Sequence, residues 1–158
     1  MKPDLEQLPA EDLSKTRLRL WLRLLKVSRS IEGQLRENLR TEFDSTLPRF
    51  DVLAALYRYP KGMRMSELSG VLKVSNGNVT GIVDRLVNDG AVIRSSVPGD
   101  RRALRVRLTK RGKDDFMCQA KQHEQWVDQL LSNIPLDEAE DIMQKLDGVI
   151  DDVAGDDK

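Results

Sequence analysis

From Lys15 to Glu42 apolar residues recur three or four apart, at Leu18, Leu22, Leu25, Ile31, Leu35 and Leu39. That spacing lines one face of an α-helix, and only Gly33 interrupts it. It predicts one long helix, ended by Asp44-Ser45-Thr46-Leu47-Pro48. A second helix is expected over Arg49–Tyr59, with Phe50, Leu53, Leu56 and Tyr57 on one face and Pro60-Lys61-Gly62 as its stop. Met65 is expected in a short strand. Ser66 is placed to cap a helix through Lys73 that buries Leu68, Val71 and Leu72. Ser75 is placed to cap the next helix, whose Val79, Ile82, Val83 and Leu86 follow the i, i+3, i+4, i+7 rule. The opposite face of that helix holds Asn76, Thr80, Gly81, Asp84 and Arg85, and Asp89-Gly90 closes it.

The period then changes. Val92–Ser95 and Leu104–Leu108 read as two antiparallel strands joined by a turn at Pro98-Gly99-Asp100-Arg101. Thr109 caps another long helix over about 110–132, broken by Pro135. Asp137 with Glu140 begins a last helix that carries Ile142, Leu146, Val149 or Ile150, and Val153 on one stripe. The fold expected is mainly α with a small β-hairpin wing, a winged helix-turn-helix. The expected division is a loose arm at 1–14, a helical dimerisation region at 15–48 and 110–158, and the winged module at 49–109. So small a module cannot cover the apolar stripes of the first helix and the last two. They bury one another across a two-fold axis, as a homodimer, or close a monomeric bundle.

Charge sharpens this picture. The 158 residues have a net charge of zero, but the charge is unevenly spread: +2 over residues 1–60, +7 over 61–111 and −9 over 112–158. The basic block coincides with the polar helix and the hairpin, which is the electrostatic footprint of a module that faces double-stranded DNA. Asn76, Asn78 and Thr80 open the polar helix, where such a helix reaches base edges. Asn pairs with adenine, and Thr meets a thymine methyl or a phosphate. Gly77 and Gly81 each cost about 1 kcal/mol relative to Ala in a helix; they allow close approach to a duplex or mark a tolerated weakness. Arg85 contacts phosphate or pairs with Asp89 one turn on. Ser66, Lys73 and Ser75 are further phosphate candidates.

The combination Met65-Ser66-Glu67-Leu68-Ser69, Val79-Thr80, Asp84-Arg85-Leu86, Gly90-Ala91-Val92-Ile93-Arg94, Asp100-Arg101-Arg102 and Leu108-Thr109-Lys110-Arg111-Gly112 resembles the multiple antibiotic resistance regulator (MarR) family. Helix order and spacing match over about residues 15–155. The resemblance implies a dimeric winged-helix regulator, usually a repressor, released from palindromic DNA by a small molecule or by thiol oxidation. It implies a wing tip in which Asp100 steadies the turn while Arg102, or alternatively Arg101, enters the minor groove. Trp21-Leu22-Arg23-Leu24, Glu42-Phe43-Asp44, Leu47-Pro48-Arg49-Phe50-Asp51 and Val74-Ser75-Asn76-Gly77-Asn78-Val79-Thr80-Gly81 are similar to the branch that governs hydroxycinnamate catabolism. That likeness implies an aromatic acyl-coenzyme A effector such as p-coumaroyl-CoA.

The family's pocket lies between the long helices and the winged module, so Trp21, Leu25, Ser28, Phe50, Leu53 and Tyr57 are its candidate lining here, or plain core. Arg36, Arg40 and Arg49 are candidates for the coenzyme A phosphates, or surface arginines paired with Glu32, Glu37 or Asp44. Cys118, the single cysteine, lies inside a helix and away from the positions of oxidation-sensing thiols in the family, which disfavours a redox switch. One His and one Cys leave no zinc site and no catalytic constellation, so neither a metal, a cofactor nor an enzyme is expected. A constitutive DNA-architectural protein is the competing class. No signal peptide or membrane span is read from the sequence, and a cytoplasmic location is expected.

Overall fold

A computed structural model describes residues 10–155 and, within them, all side chains except those of residues 10, 11, 76 and 101. The chain divides into two units, residues 1–123 and residues 124–158. The first contains α1 (Ala10–Phe43), α2 (Leu47–Arg58), β1 (Met63–Arg64), α3 (Met65–Leu72), α4 (Asn76–Asn88), β2 (Val92–Val97), β3 (Asp100–Leu108) and the greater part of α5 (Lys110–Leu130). The second contains the end of α5 and α6 (Leu136–Gly155). The fold is a winged helix-turn-helix, mostly helical with one small sheet.

Within the first unit the three strands form an antiparallel sheet in the order β1-β3-β2. Met63 pairs with Val106, Val92 with Leu108 and Arg94 with Val106, and an irregularity at Ser96/Val97 bends the hairpin toward its tip. Gly99 takes the left-handed conformation that this tight turn demands, at φ 84°. The core lies where the helix-turn-helix meets the sheet. Leu39, Val52, Leu56, Leu68, Val79, Val83, Val92 and Val106 are all fully buried there. All but Val52 come from an apolar position of the pattern predicted for their element; α2 buries Val52 and leaves Tyr57 partly exposed, so its inward face is turned from the one expected.

Capping sets the boundaries. Thr46 Oγ1 accepts the Arg49 amide, which starts α2 at Leu47 rather than Arg49, with Pro48 in its first turn. Ser75 caps α4 as expected, its hydroxyl accepting the Asn78 amide. Thr109 Oγ1 accepts the Gly112 amide at 3.0 Å and so caps α5. Three expectations need correction. The first strand is Met63–Arg64, because Met63 is the residue that pairs with Val106 and is buried. Helix α3 is capped at Arg64 rather than Ser66, because the Glu67 carboxylate reaches back to the Arg64 amide at 2.7 Å. Val71 is half exposed, because α3 turns Leu68 and Ser69 inward instead. Of the loose arm expected at 1–14, residues 10–14 belong to α1 and residues 1–9 lie outside the described residues.

Two apolar faces stand uncovered in the single chain. In α1, Leu35 and Leu39 are buried, whereas Leu18, Leu20, Trp21, Leu22 and Val27 are about half exposed. In the second unit α6 buries none of its residues, leaving Ile142, Met143, Leu146, Val149, Ile150 and Val153 open.

Candidate nucleic-acid interface and adjoining cavity

Helix α4 is fixed at three points. Val79, Val83 and Leu86 anchor one face in the core. The Arg94 guanidinium of β2 donates to the Asp84 carboxylate, tying the helix to the wing. Asp89 at the C-terminal end of α4 lies 3.9 Å from Arg49 of α2. The opposite face is open: Ser75, Gly77, Asn78, Thr80, Gly81 and Arg85 are all exposed. A Cβ added at Gly77 or Gly81 would meet no atom within 4 Å, so no packing within the described residues requires glycine at either position. Arg85, read as a phosphate contact or a partner of Asp89, is not bonded to that residue's carboxylate; Asp89 faces Arg49.

At the wing tip Asp100 Oδ1 accepts the Arg102 amide at 3.0 Å. The bond lies within the turn of the hairpin, and the Arg102 side chain is exposed. Ser66 is exposed on α3, and Lys73 is exposed with a left-handed backbone (φ 53°) in the turn between α3 and α4. The side chains of Asn76 and Arg101 lie outside the described set.

Beside α4 the first unit has an open cavity of about 750 Å³, within the size range of small-molecule sites. Arg36 and Arg40 of α1, Arg49 of α2 and Arg85 of α4 reach it. Leu47, Pro48, Leu72, Val74 and Ile82 make its apolar wall, and Gly77, Asn78 and Gly81 bring α4 to its edge. Arg40 already donates to Glu37 at 2.6 and 3.0 Å, and this pair holds the Glu37 carboxyl below the usual glutamate range. Arg36 and Arg85 have no carboxylate partner among the described residues. A second, more polar cavity of about 580 Å³ shares Ser45 and Arg49 with the first and carries Asp89, Arg111, Asp115 and Gln119. The buried Gln119 Oε1 has no hydrogen-bond partner among the described residues.

The candidate effector residues thus separate. Arg36, Arg40 and Arg49 converge, from two helices, on one cavity. Trp21 and Ser28 are exposed on α1 and Leu25 is half-buried there; none of the three lines that cavity. Phe50 and Leu53 are buried, and Leu53 borders the polar cavity instead. Tyr57 packs on Phe116 at 4.9 Å, and Phe50 contacts both Phe116 and His123, the last in a stack at 4.7 Å. Desolvation of His123 lowers its pKa against the pull of Asp51, and desolvation of Asp51 raises its own. Cys118 is exposed on α5.

Gly112 and Arg94 stand in the quoted motifs, but the structural part each plays was not read from the sequence. Gly112 sits where any side chain would strike the Ala91 backbone, and Arg94 pairs with Asp84 across ten residues. Neither carries a local signal, because each depends on where two elements cross.

Comparison with known proteins supports the same architecture. A model of the MarR family matches residues 45–104. An uncharacterised helix-turn-helix regulator of Bacillus subtilis is 31% identical over 105 residues, covering 66% of this chain and 64% of its own length. The curated relatives that match are spanned over about half to just under two thirds of their length. A crystal structure of a MarR family transcriptional regulator from Silicibacter pomeroyi aligns with 32% identity and a TM-score of 0.76, over 90% of this chain and 98% of that one. A mutant MarR from E. coli, solved in complex with operator DNA, aligns with 29% identity and a TM-score of 0.71, over 85% of this chain and 95% of that one. The chain belongs to the MarR family of transcriptional regulators.

Proposed function

We propose that the protein is a homodimeric, cytoplasmic repressor that reads a palindromic operator and is released by an aromatic acyl-coenzyme A. The observation that carries the DNA half is the open polar face of α4 beside a basic hairpin, both clamped to one core. In this reading α4 enters the major groove with Asn76, Asn78 and Thr80 at base edges, and Arg85, Ser66, Lys73 and Ser75 meet phosphates. Arg102, or Arg101, enters the minor groove. The E. coli relative solved with operator DNA supports it. The uncovered apolar faces of α1 and α6 support a dimer, with residues 15–48 and 110–158 supplying the dimerisation region and 49–109 the winged module. Two copies of α4 then meet half-sites about one helical turn apart.

The cavity supports an anionic effector with an apolar body, because arginines and aliphatic residues share its wall. Its phosphates are assigned to Arg36, Arg40 and Arg49. The aromatic acyl group is assigned to Trp21, Leu25 and Ser28 of α1 with Phe50, Leu53 and Tyr57 of α2. The test is selection of duplexes from a random pool by the purified protein, followed by titration with p-coumaroyl-CoA. A palindromic consensus released by the thioester is the expected result. A consensus that the thioester does not release removes the effector assignment, and failure to enrich any sequence removes the operator-binding reading.

A further inference from the structure

The outer face of the small sheet carries a row of positive charge that the fold does not neutralise. Val106 and Leu108 of β3 and Met63 of β1 are buried, so Arg105, Arg107 and Arg64, at the alternate positions, project from the other face. Arg64 stands directly across from Arg105, which on its other side faces Ser95 of β2. Arg64 and Arg107 are exposed and Arg105 is half-buried. Like charges at directly opposed positions of an antiparallel pair oppose the pairing. The two-residue strand β1 is therefore held on β3 with a repulsive pair at one of its two positions.

No carboxylate of the surrounding chain offsets this. Residues 61–111 contain four, Glu67, Asp84, Asp89 and Asp100. Glu67 accepts the Arg64 amide, Asp84 accepts from Arg94, Asp100 accepts the Arg102 amide, and Asp89 faces Arg49. Arg64, Arg105 and Arg107 form no ion pair among the described residues. Arg105 Nε is buried and has no hydrogen-bond partner among them. A guanidinium so placed lacks an acceptor, and a phosphate oxygen supplies one.

Position selects the anion. Arg105 is three residues along β3 from Arg102, roughly 10 Å, and Arg64 is two residues before Ser66. Arg102 and Ser66 are the residues that the operator-binding reading gives to the minor groove and to phosphate. The row continues that surface beyond the wing tip. A duplex carries one negative charge per about 1.7 Å of its axis, so a neighbouring phosphate is available to each arginine. An acidic protein would need no such continuity.

We propose that the outer face of the wing sheet is a second backbone-binding surface, on which Arg64, Arg105 and Arg107 take phosphates of the duplex that flanks each half-site. The proposal rests on the reading that the wing lies on DNA. None of the three arginines reads a base, so they add affinity without sequence preference. The repulsion between Arg64 and Arg105 is relieved only when DNA is bound.

The experiment uses the full-length protein and the palindrome that it selects from a random pool. The palindrome is presented alone, and extended on each side by about one helical turn of duplex in two unrelated sequences. Fluorescence anisotropy at 50 to 200 mM salt gives affinity and salt slope for the wild type, an Arg64→Gln/Arg105→Gln double variant and Arg107→Gln. The wild type is expected to bind both extended duplexes equally, and about tenfold more tightly than the bare palindrome. The double variant is expected to lose that gain and to lower the slope on the extended duplexes by about one for each phosphate contact removed. Without DNA it is expected to melt at or above the wild-type temperature, because a repulsive pair is gone. Arg107→Gln, at an exposed position, is expected to lose part of the gain and tests the surface independently of the β1 pairing. Unchanged affinity and slope in both variants, an equal loss on bare and extended duplexes, or a gain that depends on the flanking sequence overturns the proposal. Binding of polyglutamate that the double variant loses, with DNA affinity unchanged, assigns the row to an acidic protein and overturns it as well. Failure of the wild type to bind any duplex removes the operator-binding reading together with this one, whereas wild-type binding with indifferent variants overturns this one alone.

Discussion

Replacing Gly112 by Ala tests the contact that seats α5 against the end of α4. A Cβ at this position would fall on the Ala91 carbonyl oxygen, 2.8 Å from its carbonyl carbon and 3.1 Å from its Cα. Ala91 has no room to withdraw. It is buried, its amide donates to Leu86 O at 2.9 Å, and its carbonyl accepts the Thr109 amide at 3.0 Å and the Thr109 hydroxyl at 3.2 Å. In an open helix the same substitution would gain up to about 1 kcal/mol from helix propensity. Here the start of α5 must shift instead. Overpacking costs typically 1–3 kcal/mol, and weakening the hydrogen bonds at Thr109 adds about 1 kcal/mol for each bond lost. The balance is a destabilisation of roughly 2–3 kcal/mol, which for a chain of this size lowers the melting temperature by about 5–10 °C. Urea unfolding followed by circular dichroism measures it, at equal protein concentration because association contributes to stability. Gly70→Ala is the matched control, since a Cβ there meets nothing within 4 Å. A Gly112→Ala midpoint equal to or above that of the wild type would refute the reasoning.

Three further outcomes follow from the site. Arg102→Ala should weaken operator binding and reduce the salt slope by about one counterion; mobility shifts at 50 to 200 mM salt read this, and an unchanged slope removes the wing contact. Gly81→Ala should raise stability by about 0.5–1 kcal/mol while weakening DNA binding, since no neighbour within 4 Å opposes the added methyl in the protein; equal or tighter DNA binding contradicts close approach at that position. His123→Phe should flatten the pH dependence of stability. The folded state holds His123 below its ordinary 6.5, so the unfolded chain binds the proton first, and stability present above that value is lost as pH falls through the folded pKa. Phe preserves the stack on Phe50 but has no proton to bind, and urea midpoints at pH 7.5 and 6.0 that fall as steeply in the variant would exclude His123 as the source.

The order of elements was legible in the sequence because helix and strand periods are local properties. Val79, Val83 and Leu86 sit one turn apart, so any helix through them presents one apolar face, and that face is the one buried. The caps at Ser75 and Thr109 are equally local, each a hydroxyl three residues from the amide it accepts. The wing turn at Gly99 and Asp100 is a matter of four residues. The start of α3 was misplaced because Ser66 has the side chain of a cap while the actual cap position, Arg64, is set by the reach of Glu67 and the pairing of Met63 with Val106.

The convergence of charge belongs to the tertiary structure alone. Arg36, Arg49 and Arg85 are far apart in the chain, and each has carboxylates nearby in sequence that would have served as partners. Packing turned Arg85 toward a cavity and set Arg49 against Asp89, a residue forty positions away. The clamp of Gly112 on Ala91 has the same character: a missing side chain acquires meaning only when a backbone from another element lies against it. Periodicity specifies which face of an element turns inward, because that follows from the angle between successive residues. Which side chains from different elements then share a space depends on how those elements cross, and that is decided by packing the whole core at once.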